Sequence, residues 1–337
     1  AAVPGASATS GTKAAAVQVE RPQRTRRQLI VAGCLVVGLV AFAGPLVALR
    51  PPIPPPPSPP SIRIAGPPSN DTEIVLLAHG SCANQVKEQA FWGPLLARAP
   101  QLFIFNGDIV YGDCEGAECP ELTGAWDDLF ANPNMRRAAA ELPMVGILDD
   151  HDYGQNDGCV TNPWKGFAKA EYLRRFAIPP RDPRYGREGL HRSWSFGPPG
   201  RRLQLVLMDT RWSRSPYLPT DCNYCPGKER YVGYNDSGAA NGFDGHDDGR
   251  RMLGDAQWAW LEEQLRQPAE LRLLVSTVQV LAQGHGWERW GLIPTELRRL
   301  QRLIVETQAE GVVLLSGDRH VGGIYTLPGL GLGHAPS

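Results

Sequence analysis

Past residue 70 the chain alternates short, wholly apolar runs with longer stretches whose apolar residues recur every three or four positions. EIVLLAHG (73–80), LFIFNGD (102–108), MVGILDD (144–150), LQLVLMDTR (203–211), LRLLVSTVQ (271–279) and GVVLLSGDRH (311–320) have the length and apolar continuity of strands buried on both faces. NQVKEQAFWGPLLARA (84–99), DAQWAWLEEQLRQ (255–267) and PTELRRLQRLIVETQ (294–308) carry helical spacing. The order predicts a mixed α/β domain. Nearly every predicted strand empties a polar residue at its carboxyl end, the edge where α/β sheets build ligand sites.

The beginning of the chain follows another pattern. Arg21, Arg24, Arg26 and Arg27 precede an uncharged run from Leu29 to Leu49, a basic region ahead of an apolar one. The Arg26–Arg27 pair in TRRQLI resembles a twin-arginine export signal, and Ala41-Phe42-Ala43 offers a cleavage site. The alternative is an uncleaved anchor, because residues 29–49 are just long enough to span a bilayer. Residues 1–49 are therefore expected to be a signal peptide or membrane anchor, 50–70 a proline-rich linker, and 71–337 one domain. Export through the twin-arginine machinery would leave the body periplasmic, extracellular or tethered to the outer face of a membrane by residues 29–49.

Composition narrows the function. A net charge of -1, with basic residues scattered through the body, gives no nucleic-acid-binding surface. Seven cysteines in an exported chain point to disulfides. Cys114 and Cys119 could close a small loop, and Cys222 or Cys225 could pair with Cys159. A zinc knuckle of Cys114, Cys119, Cys222 and Cys225 is the competing arrangement. The stretch from Pro216 to Arg250, rich in Gly, Asn and Asp, reads as an excursion over a site.

The polar strand ends gather Cys82, Asp108, Asp149, Asp150, His151, Asp318 and His320. One such aspartate is ordinarily a turn residue or helix cap. A whole set of strands ending this way is different, because the carboxylates would repel one another without cations between them. The sharpest case is Asp149, Asp150 and Asp152 around His151, directly after a buried strand. Carboxylates with imidazole suit hard or borderline divalent and trivalent ions, and a carboxylate shared by two ions serves phosphoryl transfer to water.

These residues carry a resemblance. NGDIVYGD (106–113) is similar to the G-D-x-x-[DY] motif of the calcineurin-like metallophosphoesterases, DDHD (149–152) stands for their G-N-H-[DE], and GDRH (317–320) for their G-H-x-H. The departures, together with GSCANQ (80–85), LLSGDRH (314–320), DTRW (209–212) and LGDAQWAWLEEQL (253–265), resemble the PhoD-like alkaline phosphatases from about Ile74 to Tyr325. The resemblance implies a four-layer αββα sandwich with two mixed β-sheets. It implies a phosphoesterase acting on phosphate monoesters, diesters or both, with phospholipids or wall polymers as alternative diester substrates. It implies two or more metal ions, Fe3+ and Ca2+ foremost and Zn2+ or Mn2+ as alternatives. Cys82, Asp108, Tyr111, Asp150, Asp318 and His320 would be the ligands, with Asp108 the bridging carboxylate. His151 would be the general acid, and Arg211 and Arg319 phosphate clamps. Asp108, Asp150, Asp318 and His320 should then converge within a radius of about 5 Å. Family members continue beyond the last motif, whereas this sequence stops 17 residues after His320. C-terminal truncation, and with it an inactive cation-binding relic, is the opposed expectation.

Overall fold

In the computed structural model, which describes residues 64–217, 249–282 and 287–326, each predicted strand forms, though with shorter limits. The strands are β1 (Leu77–Gly80), β2 (Leu102–Asn106), β3 (Met144–Ile147), β4 (Arg192–Phe196), β5 (Leu203–Met208), β6 (Leu271–Ser276) and β7 (Val312–Leu315). Among the described residues there are six α-helices: α1 (Trp92–Leu96), α2 (Pro120–Ala131), α3 (Pro133–Glu141), α4 (Lys165–Arg175), α5 (Asp255–Leu265) and α6 (Pro294–Glu306). None of them is long and apolar enough to cross a membrane. The expected signal, most of the proline-rich linker, and Cys222 and Cys225 lie outside the described residues.

Two sheets form. One is β1-β2-β3, parallel throughout, and the other is β4-β5-β6-β7, in which only the β4–β5 pair is antiparallel. The expectation of two mixed sheets therefore holds for the second alone. The period-2 alternation of β5 sorts its side chains between two cores. Leu203, Leu205 and Leu207 join the cluster that contains β2, β3 and residues of α2 and α4. Val206 and Met208 join Trp258, Leu261 and Leu300 of α5 and α6. Both faces of β5 are thus covered, as a continuous apolar run requires.

Several expected boundaries shift for local reasons. Packing begins before Asp71, since Ile64 is buried in the core and Met144 N donates to Ala65 O at 2.9 Å. Residues 73–76 do not pair as a strand, because the Gln101 side chain takes the Val75 and Leu76 amides. The predicted helix 84–99 shrinks to one turn at Trp92–Leu96. Side-chain amides compete with the helical ladder there. Gln89 donates to Ala83 O and Asn84 O, and Gln85 exchanges two hydrogen bonds with the backbone of Tyr111. At α3 the Asn132 side chain caps the amides of Asn134 and Met135, and Pro133 takes the first helical position, where its missing N–H costs nothing.

One buried histidine gives this fold a pH dependence. His191 is 4% exposed, with its ring 4.5 Å from that of Trp260. Burial, reinforced by the charges of Arg187 and Lys169, lowers its pKa to about 3. The unfolded chain takes up that proton near pH 6.5 while the fold resists it, so the stability is complete above 6.5 and drains as pH falls toward 3. We expect a loss of about 2 kcal/mol from this residue at pH 5. Chemical denaturation across pH 4–8 checks it: His191→Gln should flatten this acid limb relative to the unsubstituted protein.

Candidate metal centre

The carboxyl ends of β1, β2, β3, β5 and β7 meet where the two sheets adjoin. Gly317, after β7, donates its N–H to Thr277 O at 2.8 Å, and a Cβ there would lie 2.5 Å from Asn106 O at the end of β2. Gly107 is held at φ +88°, and a Cβ on it would sit 2.4 Å from that of Asp149. No other residue fits that corner without moving the loop. Around it, Cys82, Asp108, Asp318 and His320 all adopt left-handed backbone, with φ of 59°, 48°, 67° and 53°. Each such non-glycine residue costs on the order of 1–3 kcal/mol. Strained turns therefore carry four predicted ligands.

The ligand atoms of Cys82, Asp108 and His320 lie within 4.8 Å of one another, as do those of Asp108, Asp150 and His151, and those of Asp149, Asp150 and Asp318. Asp150, Asp157 and Glu288 form a fourth such set, so that Asp108 belongs to two of the four and Asp150 to three. The Tyr111 hydroxyl completes the first set, 3.3 Å from Asp108 Oδ2 and 3.0 Å from His320 Nε2. Cys82 Sγ is 3.5 Å from the same Asp108 oxygen. The structure thus brings together every predicted ligand: Cys82, Asp108, Tyr111, Asp150, Asp318 and His320.

The donor set fits cations. Asp108 Oδ1, Asp149 Oδ2 and Asp318 Oδ2 are buried with no hydrogen-bond partner, a costly state for carboxylate oxygens. Burial, then Asp149, Asp150 and Asp152, pushes Asp108 well above the usual carboxyl range. Burial, then Asp149 and Glu288, lifts Asp318 to about 8. Burial likewise raises the Cys82 thiol, outweighing its contact with the Ser81 hydroxyl, and raises the Tyr111 phenol. Asp150 departs from this trend. Burial would raise it, but the Arg211 and His151 charges hold it below the ordinary value. Without cations most of these groups keep their protons, and cations would displace them.

The three aspartates of the DDHD stretch have three different tasks. Asp149 accepts from Arg211 at 2.6 Å, and Arg211 reaches Glu288 at 2.7 Å on its other side. Arg214 pairs with the same Glu288 at 2.7 Å. This acid–base chain is shut away from water. Asp152 accepts the Asp149 and Ile109 amides at 2.6 and 2.9 Å, tying its own turn to the loop after β2. Asp150, a member of every donor set to which DDHD contributes a carboxylate, is fixed by the His151 and Asp157 amides. Repulsion within the stretch is therefore relieved mostly by protein groups rather than by cations alone.

This corrects the expectation for Arg211, whose side chain is fully buried and already paired. In sequence, a clamp and a buried counter-ion look alike. Arg319 stacks on Trp287 at 4.4 Å, on the turn between Asp318 and His320. His151 packs against Tyr111 with its ring tilted by 38°, centroids 4.4 Å apart, and its Nδ1 is 2.8 Å from Asp113 Oδ2, a partner the motif reading missed. Burial would lower the His151 pKa, but the Asp113 hydrogen bond and the Asp150 charge outweigh it and raise it to about 9. The Cys114–Cys119 disulfide forms, whereas Cys159, expected to pair with Cys222 or Cys225, is a buried free thiol beside the Thr161 hydroxyl. Asp209 after β5 is a turn residue, accepting the amides of Leu190, Arg211 and Trp212.

Comparison with known proteins agrees with the residues. The sequence model of the PhoD-like phosphatases matches residues 77–329. A solved structure of PhoD aligns with a TM-score of 0.53 at 18% identity, covering 76% of this chain and 53% of that one, a likeness of fold. The chain thus spans about half the length of that structure. GAP50, the anchor in the inner membrane complex of Plasmodium, aligns at 0.41 and 11% identity over 71% of this chain and 70% of its own. No curated protein matches.

Arg211 offers a direct test of the buried network. Arg211→Met leaves Asp149 uncompensated and Glu288 with Arg214 alone, and should cost about 3–5 kcal/mol in chemical denaturation. A variant as stable as the unsubstituted protein, changed only in KM, would restore the clamp role.

Proposed function

Because the chain belongs to the PhoD-like phosphatase family, matched over residues 77–329, we propose that it is an exported, metal-dependent phosphoesterase that hydrolyses phosphate monoesters, diesters or both. The observation that carries the metal dependence is Asp108, shared by two donor sets and keeping one buried oxygen without a partner. Cys82, Tyr111 and His320 with Asp108 would suit a ferric ion, through thiolate and phenolate donors. Asp150 and Asp318 with Asp108 would suit calcium, which takes oxygen ligands. Zinc or manganese could use the same donors. When bound, such cations lower the pKa of a water and neutralise charge on the phosphoryl oxygens.

The chain's own residues do the rest. His151, kept cationic, is the group able to give a proton to the departing alkoxide. Asp150, kept ionised, supplies charge without needing to lose a proton first. Arg319 is the cation that would meet substrate oxygens, should it leave Trp287. A groove of about 790 Å³ runs from Cys82 and His320 along β7, walled by Val280, Ile304, Leu314 and Ile324. Its apolar wall favours, as a second reading, a diester with an apolar substituent, as in phospholipids.

The alternation of β5 between two cores supports taking the sheets as the inner layers of a four-layer sandwich with helices outside. Export, whether into a periplasm or the medium or with residues 29–49 as a tether, rests on the basic-then-apolar order of residues 21–49, and the disulfide suits an oxidising compartment.

Two substitutions should fail differently. Asp150→Ala should lose bound metal together with activity. His151→Ala should keep its metal and lose about 10²–10⁴ in turnover. Metal analysis with p-nitrophenyl phosphate, its bis-ester and an alkyl phosphate as substrates decides. Absence of both tightly bound metal and turnover in the unsubstituted protein would leave the inactive relic instead.

A further inference from the structure

His151 is placed by a loop that the motifs do not explain. Asp113 comes two residues after Tyr111, and its Oδ2 lies 2.8 Å from His151 Nδ1. The Asp113 side chain is 47% exposed, and an exposed carboxylate has rotamers to lose on fixing a partner. Its backbone, however, is held on every side. Gly112 N donates to His151 O at 3.3 Å, so the loop begins on the residue that it positions. Cys114 N donates to Gly154 O at 2.9 Å, and Gly116 O accepts the Trp164 indole N–H at 2.8 Å. Cys119 is fully buried at the start of α2 and bonded to Cys114, immediately after Asp113. Gly154 has φ +91°, and a Cβ there would fall 2.6 Å from Cys114 Sγ, so the histidine's own turn is shaped around the disulfide.

We propose that the disulfide-closed loop 112–119 is a positioning device for His151, with Asp113 as the positioning residue. Asp113 accepts the Nδ1 hydrogen and fixes the ring, so that proton transfer runs through Nε2 alone. In that step the Nε2–H bond breaks, the proton passes to the leaving alkoxide, and solvent returns one to Nε2. The disulfide limits the backbone freedom of Asp113 and so makes an exposed carboxylate effective. This role rests on the phosphoesterase reading above.

The test uses Asp113→Ala, Asp113→Asn and the double variant Cys114→Ser/Cys119→Ser. Turnover of an alkyl phosphate should fall about 10–100-fold in Asp113→Ala, the usual scale for losing a group that orients a functional histidine. Turnover of p-nitrophenyl phosphate, whose leaving group needs little protonation, should fall far less, with KM and metal content unchanged. Asp113→Asn keeps an acceptor and should recover part of the loss, and the double variant should show the same alkyl-selective loss in smaller measure. Equal losses on both substrates, loss of metal, or no loss at all would overturn the proposal. ¹⁵N NMR of histidine-labelled protein reads the position directly: His151 Nδ1 should stay protonated in the unsubstituted protein and become mixed in Asp113→Ala. A Nδ1 signal unchanged by that substitution would overturn the proposal. Because this signal needs no turnover, it decides the matter even if the phosphoesterase reading fails.

Discussion

Everything at this site follows from the difficulty of holding negative charge where two sheets end together. Asp108, Asp149, Asp150 and Asp318 sit in surroundings too dry to ionise them cheaply. The protein resolves this by dividing the carboxylates. Asp149 and Glu288 are neutralised by Arg211 and Arg214, and Asp152 is consumed by backbone amides. What is left over, Asp108, Asp150 and Asp318 with the neighbouring thiol, phenol and imidazole, is the part available to cations. Arg211 is therefore tied to the candidate metal centre without facing it. It cancels the charge that would otherwise compete with ligand ionisation, and it keeps Asp150 ionised.

The backbone carries a second share of the cost. Left-handed turns at Cys82, Asp108, Asp318 and His320 are maintained by packing such as the Gly107–Asp149 approach, where only glycine leaves room. The strain is spread over three separate loops, each rooted in a parallel strand: β2, paired on both sides, and β1 and β7, each paired on one. Regular strands thus supply the rigidity, and irregular turns supply the aim.

The strand ends were legible in the sequence because a buried parallel strand must be a continuous apolar run, and the residue that breaks the run marks the edge. That logic pointed to Cys82, Asp108, Asp150, Asp318 and His320, which the structure gathers into overlapping donor sets, whereas Tyr111 came from the resemblance. It could not divide labour within DDHD, since Asp149, Asp150 and Asp152 differ only in which way they turn after Leu148. It misread Arg211, because burial, not residue type, separates a counter-ion from a substrate clamp. Asp113 was invisible for a further reason: its contact crosses between two loops, and no spacing encodes such a pairing. The helix predicted over residues 84–99 was mostly lost to Gln85 and Gln89, whose amides capture backbone groups, a competition that periodicity does not register. The boundary near Asp71 missed Ile64, a lone apolar residue after a proline run, which gives no periodic signal of burial.

The position of β7 has a consequence for how the protein is built and how it ages. Cys82 and His320 follow strands far apart in the sequence, and among the described residues the His320 side hangs on β7, the last strand of the order β4-β5-β6-β7, with Val313 43% exposed. Cooperative units at the margin of a fold open more often than its centre. During synthesis the first-sheet donors can assemble long before β7 emerges, so a growing chain holds only half a site. Detachment of this one strand would remove Asp318 and His320 while leaving the first sheet intact. Retention of an ion at the proposed site would then depend on the pairing of β6 with β7 as well as on the stability of the domain.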